Sequence, residues 1–410
     1  MKKRINMVIA VICCIGMLMG CGSVKDVNME MVQTDIDTIT VPDHVQVVGL
    51  GEASHGVKEY QEMKREVFQA LVHNNGCRTF VIEGDFGSAL KVDEYIHGGD
   101  GTVKEAAAKI GFRIYCTKEM EELLEWMRAY NETAKDGEDL HFYGMDMQWA
   151  DDSKEYLFQV LDQATPDLSE KYKEILAFLN DDDMFDIGED AFLQGMEDAE
   201  ELLKEIDRMQ ESIEKVCGKE SFEFARECAY NLYACCDIRK SDMQYNAVRD
   251  GYMAEKVQWF IGHGDGSVIF INGHNGHIGK TSVAAYECLG KILEDQLGED
   301  YFAIGTDAKV TVFNSQNEDG FDVKTVENEN EINTLTGKRD KGCYYVDFAK
   351  VSEDDSWHGI LSGRQRITTL NVSVPVATAA FCTSEVTLED MFDGMIVFGE
   401  VSPTTLEIGE

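Results

Sequence analysis

Short β-branched runs alternate with stretches of helical periodicity through the first third of the chain. Residues 44–50 (HVQVVGL) form an apolar run that stops at Gly51, the pattern of a buried strand. Tyr60, Met63, Val67 and Leu71 then recur at helical spacing, and Gly76 stands where a helix C-cap is expected. Residues 79–82 give a second strand, again followed by an acidic residue and glycine. Helical patterns over 103–110 and 118–130 lead to a third strand at 140–145 (LHFYGM). Strand, helix, strand, helix, strand in this order predicts an α/β fold, a mostly parallel sheet flanked by helices.

From 152 to 261 the strand pattern disappears. Leu202, Leu203, Ile206, Met209, Ile213 and Val216 trace one long amphipathic helix, with further helices over 222–238 and around 253–260. The block reads as a large helical insertion, or lid. Strands resume at 268–272 and 301–305 around a helix at 283–296, and the tail from 310 carries short strand-like runs. Four prolines leave no clear linker, and no internal repeat is visible. The expected organisation is an export signal at 1–20, a tether at 21–43, an α/β body in two parts at 44–151 and 263–410, and the insertion at 152–262 between them.

The N-terminus changes the picture of where this body works. Lys2, Lys3 and Arg4 precede a short apolar run that closes on Leu18-Met19-Gly20-Cys21. A basic start and an apolar run too short to span a bilayer read as an export signal. The closing residues resemble a bacterial lipobox, which implies lipidation of Cys21 and a chain anchored to the membrane outside the cytoplasm. Charge narrows the partners. With 37 basic against 77 acidic residues the chain carries a formal −40, a field that repels nucleic acid and anionic polymers and suits neutral or cationic small molecules. Beyond residue 21, nine of the twelve cysteines remain. They show no zinc-type spacing and lie mostly in apolar runs, which predicts buried thiols and at most one or two disulfides.

Chemistry collects at the carboxyl ends of the expected strands, the edge where open α/β sheets bind ligands. There stand Glu52, Ser54 and His55, then Glu83, then Asp146, then His274 and His277. A carboxylate directly after an apolar strand, as at Glu83, needs a partner if buried. Lys64 falls beside the apolar face of the first helix and would meet such a charge, with Arg65 as the alternative. There is no nucleophile elbow, and Ser54 points away from its neighbour His55 on an extended segment, so a histidine-activated water is favoured over a serine nucleophile.

These segments resemble the erythromycin esterase family. Gly51-Glu-Ala-Ser-His-Gly56 with Glu59 and Lys64 is similar to the family's opening motif, and Val81-Ile-Glu-Gly-Asp-Phe86 to its second strand. Trp126-Met-Arg-Ala-Tyr-Asn131, Phe142-Tyr-Gly-Met-Asp-Met-Gln148, Arg249-Asp250 with Met253-Ala254-Glu255, and Gly273-His-Asn-Gly-His277 follow in family order, the last with Gly where Ala is usual. The resemblance implies a cleft between the body and the helical insertion, and hydrolysis of a macrolide lactone ester. His55 would be the base, Glu52 and Glu83 would orient it, and His274 and His277 would stabilise the substrate carbonyl. Lys64, Arg65, Glu59 and Asp146 are the further substrate-binding candidates. The acidic run Asp181-Asp182-Asp183 with Glu189 and Asp190 would either favour a cationic sugar or be solvated surface. Two other readings stand beside this one. Glu52, His55, Glu83, His274 and His277 also make a plausible divalent-metal set, with no cofactor needed otherwise. The same site could bind a ligand without turning it over.

Overall fold

In the computed structural model, residues 33–240, 244–264, 266–335, 342–354, 356–373 and 383–407 are described. The export signal, Cys21 and the first part of the tether lie outside the described residues. Among the described residues, no helix is long and apolar enough to cross a membrane.

Eleven strands carry the sheets: β1 (Gln33–Thr34), β2 (Val47–Glu52), β3 (Thr79–Asp85), β4 (His141–Asp146), β5 (Ile269–His274), β6 (Tyr301–Asn317), β7 (Gly320–Glu327), β8 (Cys343–Asp347), β9 (Arg364–Thr368), β10 (Thr383–Thr387) and β11 (Gly394–Val401) among the described residues. The main sheet runs β1-β8-β11-β6-β2-β5-β3-β4, with β7 hairpinned onto β6. From β11 through β4 all neighbours are parallel, and antiparallel pairing is confined to β1, β7 and β8. β5 inserts between β2 and β3, so four strand ends from distant parts of the sequence meet at one edge.

Helices cover both faces. On one lie α1 (Lys58–Asn75), α2 (Phe86–Ile96), α3 (Val103–Ala108) and α4 (Lys118–Asn131). On the other lie α5 (Asp151–Ala164), α6 (Pro166–Ile175), α7 (Glu189–Arg208), α8 (Gln210–Cys217), α9 (Lys219–Lys240), α10 (Tyr245–His263), the one-turn α11 (Asn275–Ile278) and α12 (Leu289–Leu297). Strand side chains alternate between the layers, as a two-residue period requires. Val48, Phe80, Phe142 and Phe270 join the first layer, and Val47, Val81, Tyr143, Ile269 and Ile271 the second. Phe80 stacks on Phe142 at 5.3 Å and meets Phe270 at 5.1 Å between ring centroids, which welds β5, β3 and β4 into a rigid platform.

Several elements differ from the sequence expectation. The helix read through 202–216 breaks at Met209 into α7 and α8, although the apolar spacing runs on across the break. The sequence pattern does not show α2, because β3 passes directly into it with no connecting residue; Asp85, the last residue of the strand, caps the helix by accepting from the Ser88 amide at 3.1 Å. The helix expected at 283–296 begins only at Leu289, and the strand expected at 301–305 extends to Asn317. From Gln33 onward the expected tether is part of the body. β1 pairs with β8, Ile36, Ile39 and Val41 are buried, and Asn74 and Asn75 at the end of α1 hold the Ile39 and Val41 backbone. Gly76, at φ 69°, caps α1 in the left-handed conformation that the sequence suggested.

Candidate active site

β2 ends on Glu52, and its following loop carries His55. β3 supplies Glu83, β4 ends on Asp146, and β5 ends on His274, which caps α11 and so brings in His277. The structure brings Glu52, His55, Glu83, His274 and His277 together. His55 Nδ1 lies 3.3 Å from Glu52 Oε1, its Nε2 lies 3.8 Å from Glu83 Oε2, and its ring is 5.5 Å from that of His274. Glu83 also accepts the His274 amide at 2.9 Å. A side chain at Gly273 would bring a Cβ within 3.0 Å of this carboxylate, so glycine is what lets the two strands share it.

Two buried cations organise the carboxylates. Lys64 is fully buried behind β2, where its Nζ meets Glu52 Oε1 at 2.9 Å, donates to Gln61 at 2.8 Å and sits 4.5 Å from the Tyr115 ring centroid. Burial alone would raise the Glu52 carboxyl, but Lys64 and then His55 hold it below its usual range. Arg249, from α10, donates to Glu83 Oε1 at 2.8 Å and to Asp146 Oδ2 at 2.6 Å. Burial opposes ionisation of Glu83 too, yet His277 and Arg249 pull its carboxyl well below the ordinary value. Removing one member of such a buried pair typically costs about 3–5 kcal/mol, because the other charge is left uncompensated.

The two distal histidines are driven apart in charge. His277 Nδ1 contacts buried Asp250 at 2.6 Å, and its Nε2 lies 3.3 Å from Glu83. Burial works against a charge there, as does the Arg249 guanidinium 3.3 Å from Nε2, but the two carboxylates outweigh both and lift the imidazole to about 10. His274 goes the other way. Burial, reinforced by the neighbouring His55 and His277, lowers it to about 3, so it stays neutral. The Gly276 amide donates to its Nδ1 at 3.1 Å, which places the ring proton on Nε2. That Nε2 is buried and has no hydrogen-bond partner among the described residues.

A cavity of about 780 Å3 opens over these groups, walled by Tyr115, Gln148, Asn246, Tyr286, Gln316 and Thr369 among others. His55, Glu83, Arg249, His274 and His277 reach it, whereas Glu52, Lys64 and Asp146 stand behind. Lys64 therefore meets a buried carboxylate, as its place beside the apolar face of α1 predicts, while neither it nor Asp146 lines the cavity as the expected substrate-binding role requires. Arg65 and Glu59 are not in the site. Arg65 pairs with Glu122 at 2.8 Å, and Glu59 accepts from the Ser402 amide and hydroxyl. The acidic run at 181–183 also lies elsewhere, with Asp181 accepting from the Ala150 and Asp151 amides, so it lends the cavity no preference for a cation. As a metal set the five residues are poorly disposed, since Lys64 and Arg249 already neutralise both glutamates and His277 is held between two carboxylates.

Arg249 and Asp250 carry roles that sequence reasoning noticed only as a family-like segment. A signal was present: with Met253, Ala254 and Val257 they fall on the buried stripe of α10, where charge requires a partner. Tyr115 and Tyr286 had no comparable signal.

These charges set a pH profile for stability. Glu52 and Glu83, both held below 4.5, contribute above that pH and lose the contribution on acidification. His277, raised from 6.5 to about 10, contributes fully below pH 6.5 and loses the contribution as pH rises through about 10. The Tm of the purified protein should fall along both limbs, and His277→Asn should flatten the alkaline one. An alkaline limb unchanged by that substitution would contradict a charged His277.

Comparison with known proteins identifies the fold and the family. The structure resembles a crystal structure of a Bacillus cereus protein with a TM-score of 0.79 at 22% identity, covering 93% of this chain and 98% of the other. A protein described as a succinoglycan biosynthesis protein gives a TM-score of 0.77 at 20% identity, over 92% and 96% of the two chains. An erythromycin esterase mutant in its open conformation gives 0.67 at 15% identity, over 89% and 93%. In sequence, the erythromycin esterase type II of Escherichia coli is 26% identical over 294 residues, 63% of this chain and 68% of that one. The family model for erythromycin esterase matches residues 72–401. The chain belongs to the erythromycin esterase family, and at that level it is an ester hydrolase.

Proposed function

We propose that the chain hydrolyses a carboxylic ester by direct attack of a water that His55 activates. The observation that carries this reading is the placement of His55 between two ionised carboxylates and opposite an unpartnered donor. Glu52 accepts from Nδ1–H, which leaves the Nε2 lone pair facing the cavity. With Nε2 and Glu83 Oε2 3.8 Å apart, one water can donate to both. As its oxygen bonds to the ester carbonyl carbon, its proton passes to Nε2 and Glu52 stabilises the imidazolium, a step worth roughly 10²–10⁴-fold. The developing oxyanion receives the His274 Nε2–H, a neutral donor fixed before the reaction, whose loss should cost about 10²–10³-fold. Collapse breaks the carbon–oxygen bond, and His55 returns its proton to the leaving alcohol. Water is consumed, and an acid and an alcohol are released.

Cavity size and lining suit a neutral ester of drug-like dimensions, since in the wall Arg249 offsets Glu83 and behind it Asp250 offsets His277. A macrolide lactone is the substrate this reading favours. Incubation of the protein with macrolides should give products heavier by one water, and His55→Ala should reduce the rate by about 10²–10⁴-fold while leaving the fold intact. Near-parental turnover by the folded variant would exclude His55 as the base. Intact macrolide with turnover of simpler esters would move the substrate and keep the mechanism.

The same proposal places the enzyme outside the cytoplasm as a lipoprotein, resting on the basic start, the apolar run and the Leu18–Cys21 motif. Cys21→Ser should abolish incorporation of labelled lipid. Labelling that persists in that variant would refute the anchor.

A further inference from the structure

At the sheet edge opposite the active site, Asp93, His97 and His141 converge. Asp93 lies in the last turns of α2, His97 is the residue that closes that helix, and His141 opens β4. The two imidazoles lie side by side, 4.9 Å between ring centroids and 33° apart in plane. Both aim Nδ1 at the same carboxylate: His97 is 3.4 Å from Asp93 Oδ2 and His141 is 3.4 Å from Oδ1. Each residue offers one donor atom within 4.8 Å of the other two, and no other group among the described residues does so.

We propose that Asp93, His97 and His141 form a binding site for a divalent transition metal of the zinc type, which ties the end of α2 to the start of β4. Donors bound to one tetrahedral ion at about 2.0–2.1 Å lie roughly 3.3–3.4 Å from one another, and each imidazole Nδ1 already stands 3.4 Å from one oxygen of Asp93, His97 from Oδ2 and His141 from Oδ1. One oxygen of Asp93 and the two ring nitrogens all lie within 4.8 Å of one another. Two imidazoles and one carboxylate are a ligand set that zinc favours, with a fourth position for water, because all three side chains are partly open to solvent.

The surrounding bonds orient these ligands. Asp93 Oδ1 accepts the Phe142 amide at 2.8 Å, which fixes the carboxylate, and the Tyr143 hydroxyl lies 3.1 Å from His141 Nδ1. His141 also stacks on the Tyr143 ring at 5.6 Å and 9°, which sets its plane. His97 Nδ1 bonds the Asp93 carbonyl at 2.7 Å, a contact it would exchange for the ion. Two protonated imidazoles this close would repel, whereas a metal takes both as neutral ligands and concentrates the positive charge at the carboxylate. β4 spans six residues, which separates this site from Asp146 by roughly 17 Å, so the ion stands apart from the chemistry at His55.

The test is competition between the metal-stripped protein and a chromophoric chelator for Zn²⁺. The parent should bind one equivalent, and His141→Ala or His97→Ala should weaken it by more than ~100-fold, beyond the loss typical of an outer-shell partner. Asp93→Asn, which keeps an acceptor for the Phe142 amide, should weaken it as well. His274→Gln should leave the equivalent in place, which separates this site from the catalytic imidazoles. X-ray absorption at the zinc edge should show two imidazole nitrogens at about 2.0 Å. Absence of binding by the parent, or an equivalent that survives in His141→Ala or disappears in His274→Gln, would overturn the proposal.

Discussion

Arg249 is the buried cation on which the active centre depends. Its guanidinium donates to Asp146 at the end of β4 and to Glu83 at the end of β3, so α10 is locked to the sheet where the cavity opens. A charge taken this far from water is tolerated because a planar fork satisfies two carboxylates at once. The consequences pass from group to group. Arg249 helps keep Glu83 ionised; Glu83 and Asp250 then hold His277 as a cation; and burial, reinforced by His55 and then by that cation, keeps His274 neutral. Two histidines three residues apart thus acquire opposite charge states from the carboxylates around them.

Lys64 plays the matching part under β2. It neutralises Glu52 from behind, so this carboxylate faces His55 without a second partner competing from the cavity side. The site is therefore divided. In the proposed reaction the Glu52–His55 pair takes the proton and His274 receives the developing negative charge. Glu83 and His274 stand on β3 and β5, whose aromatic packing through Phe80, Phe142 and Phe270 fixes their spacing, and β2, which carries Glu52, pairs along β5. Preorganised donors of this kind need no rearrangement when charge develops, which is where electrostatic catalysis gains most.

The parallel sheet was legible because β2, β3, β4 and β5 are compact apolar runs that end in Gly and a functional residue. The five residues at those ends were legible for the same reason: a polar group just past a buried strand has few places to go. What stayed hidden depends on tertiary packing. Apolar spacing cannot register the break at Met209, and only the structure shows that Glu59 holds Ser402 while Lys64, one turn along α1, reaches Glu52. Arg249 and Asp250 were visible as charges on a buried helical stripe, but their partners lie more than a hundred residues away for Arg249 and on a separate element for Asp250. His97 and His141 stand in no strand-end motif, and their sequence separation conceals that α2 and β4 set them against one carboxylate.

The most direct measurement of the central claim is nitrogen NMR of the histidine side chains at pH 8. The account predicts His277 as an imidazolium, protonated on both nitrogens, and His274 as the neutral tautomer with its proton on Nε2. A neutral His277, or a His274 protonated on Nδ1, would contradict the chain of charges that runs from Arg249 to the oxyanion donor.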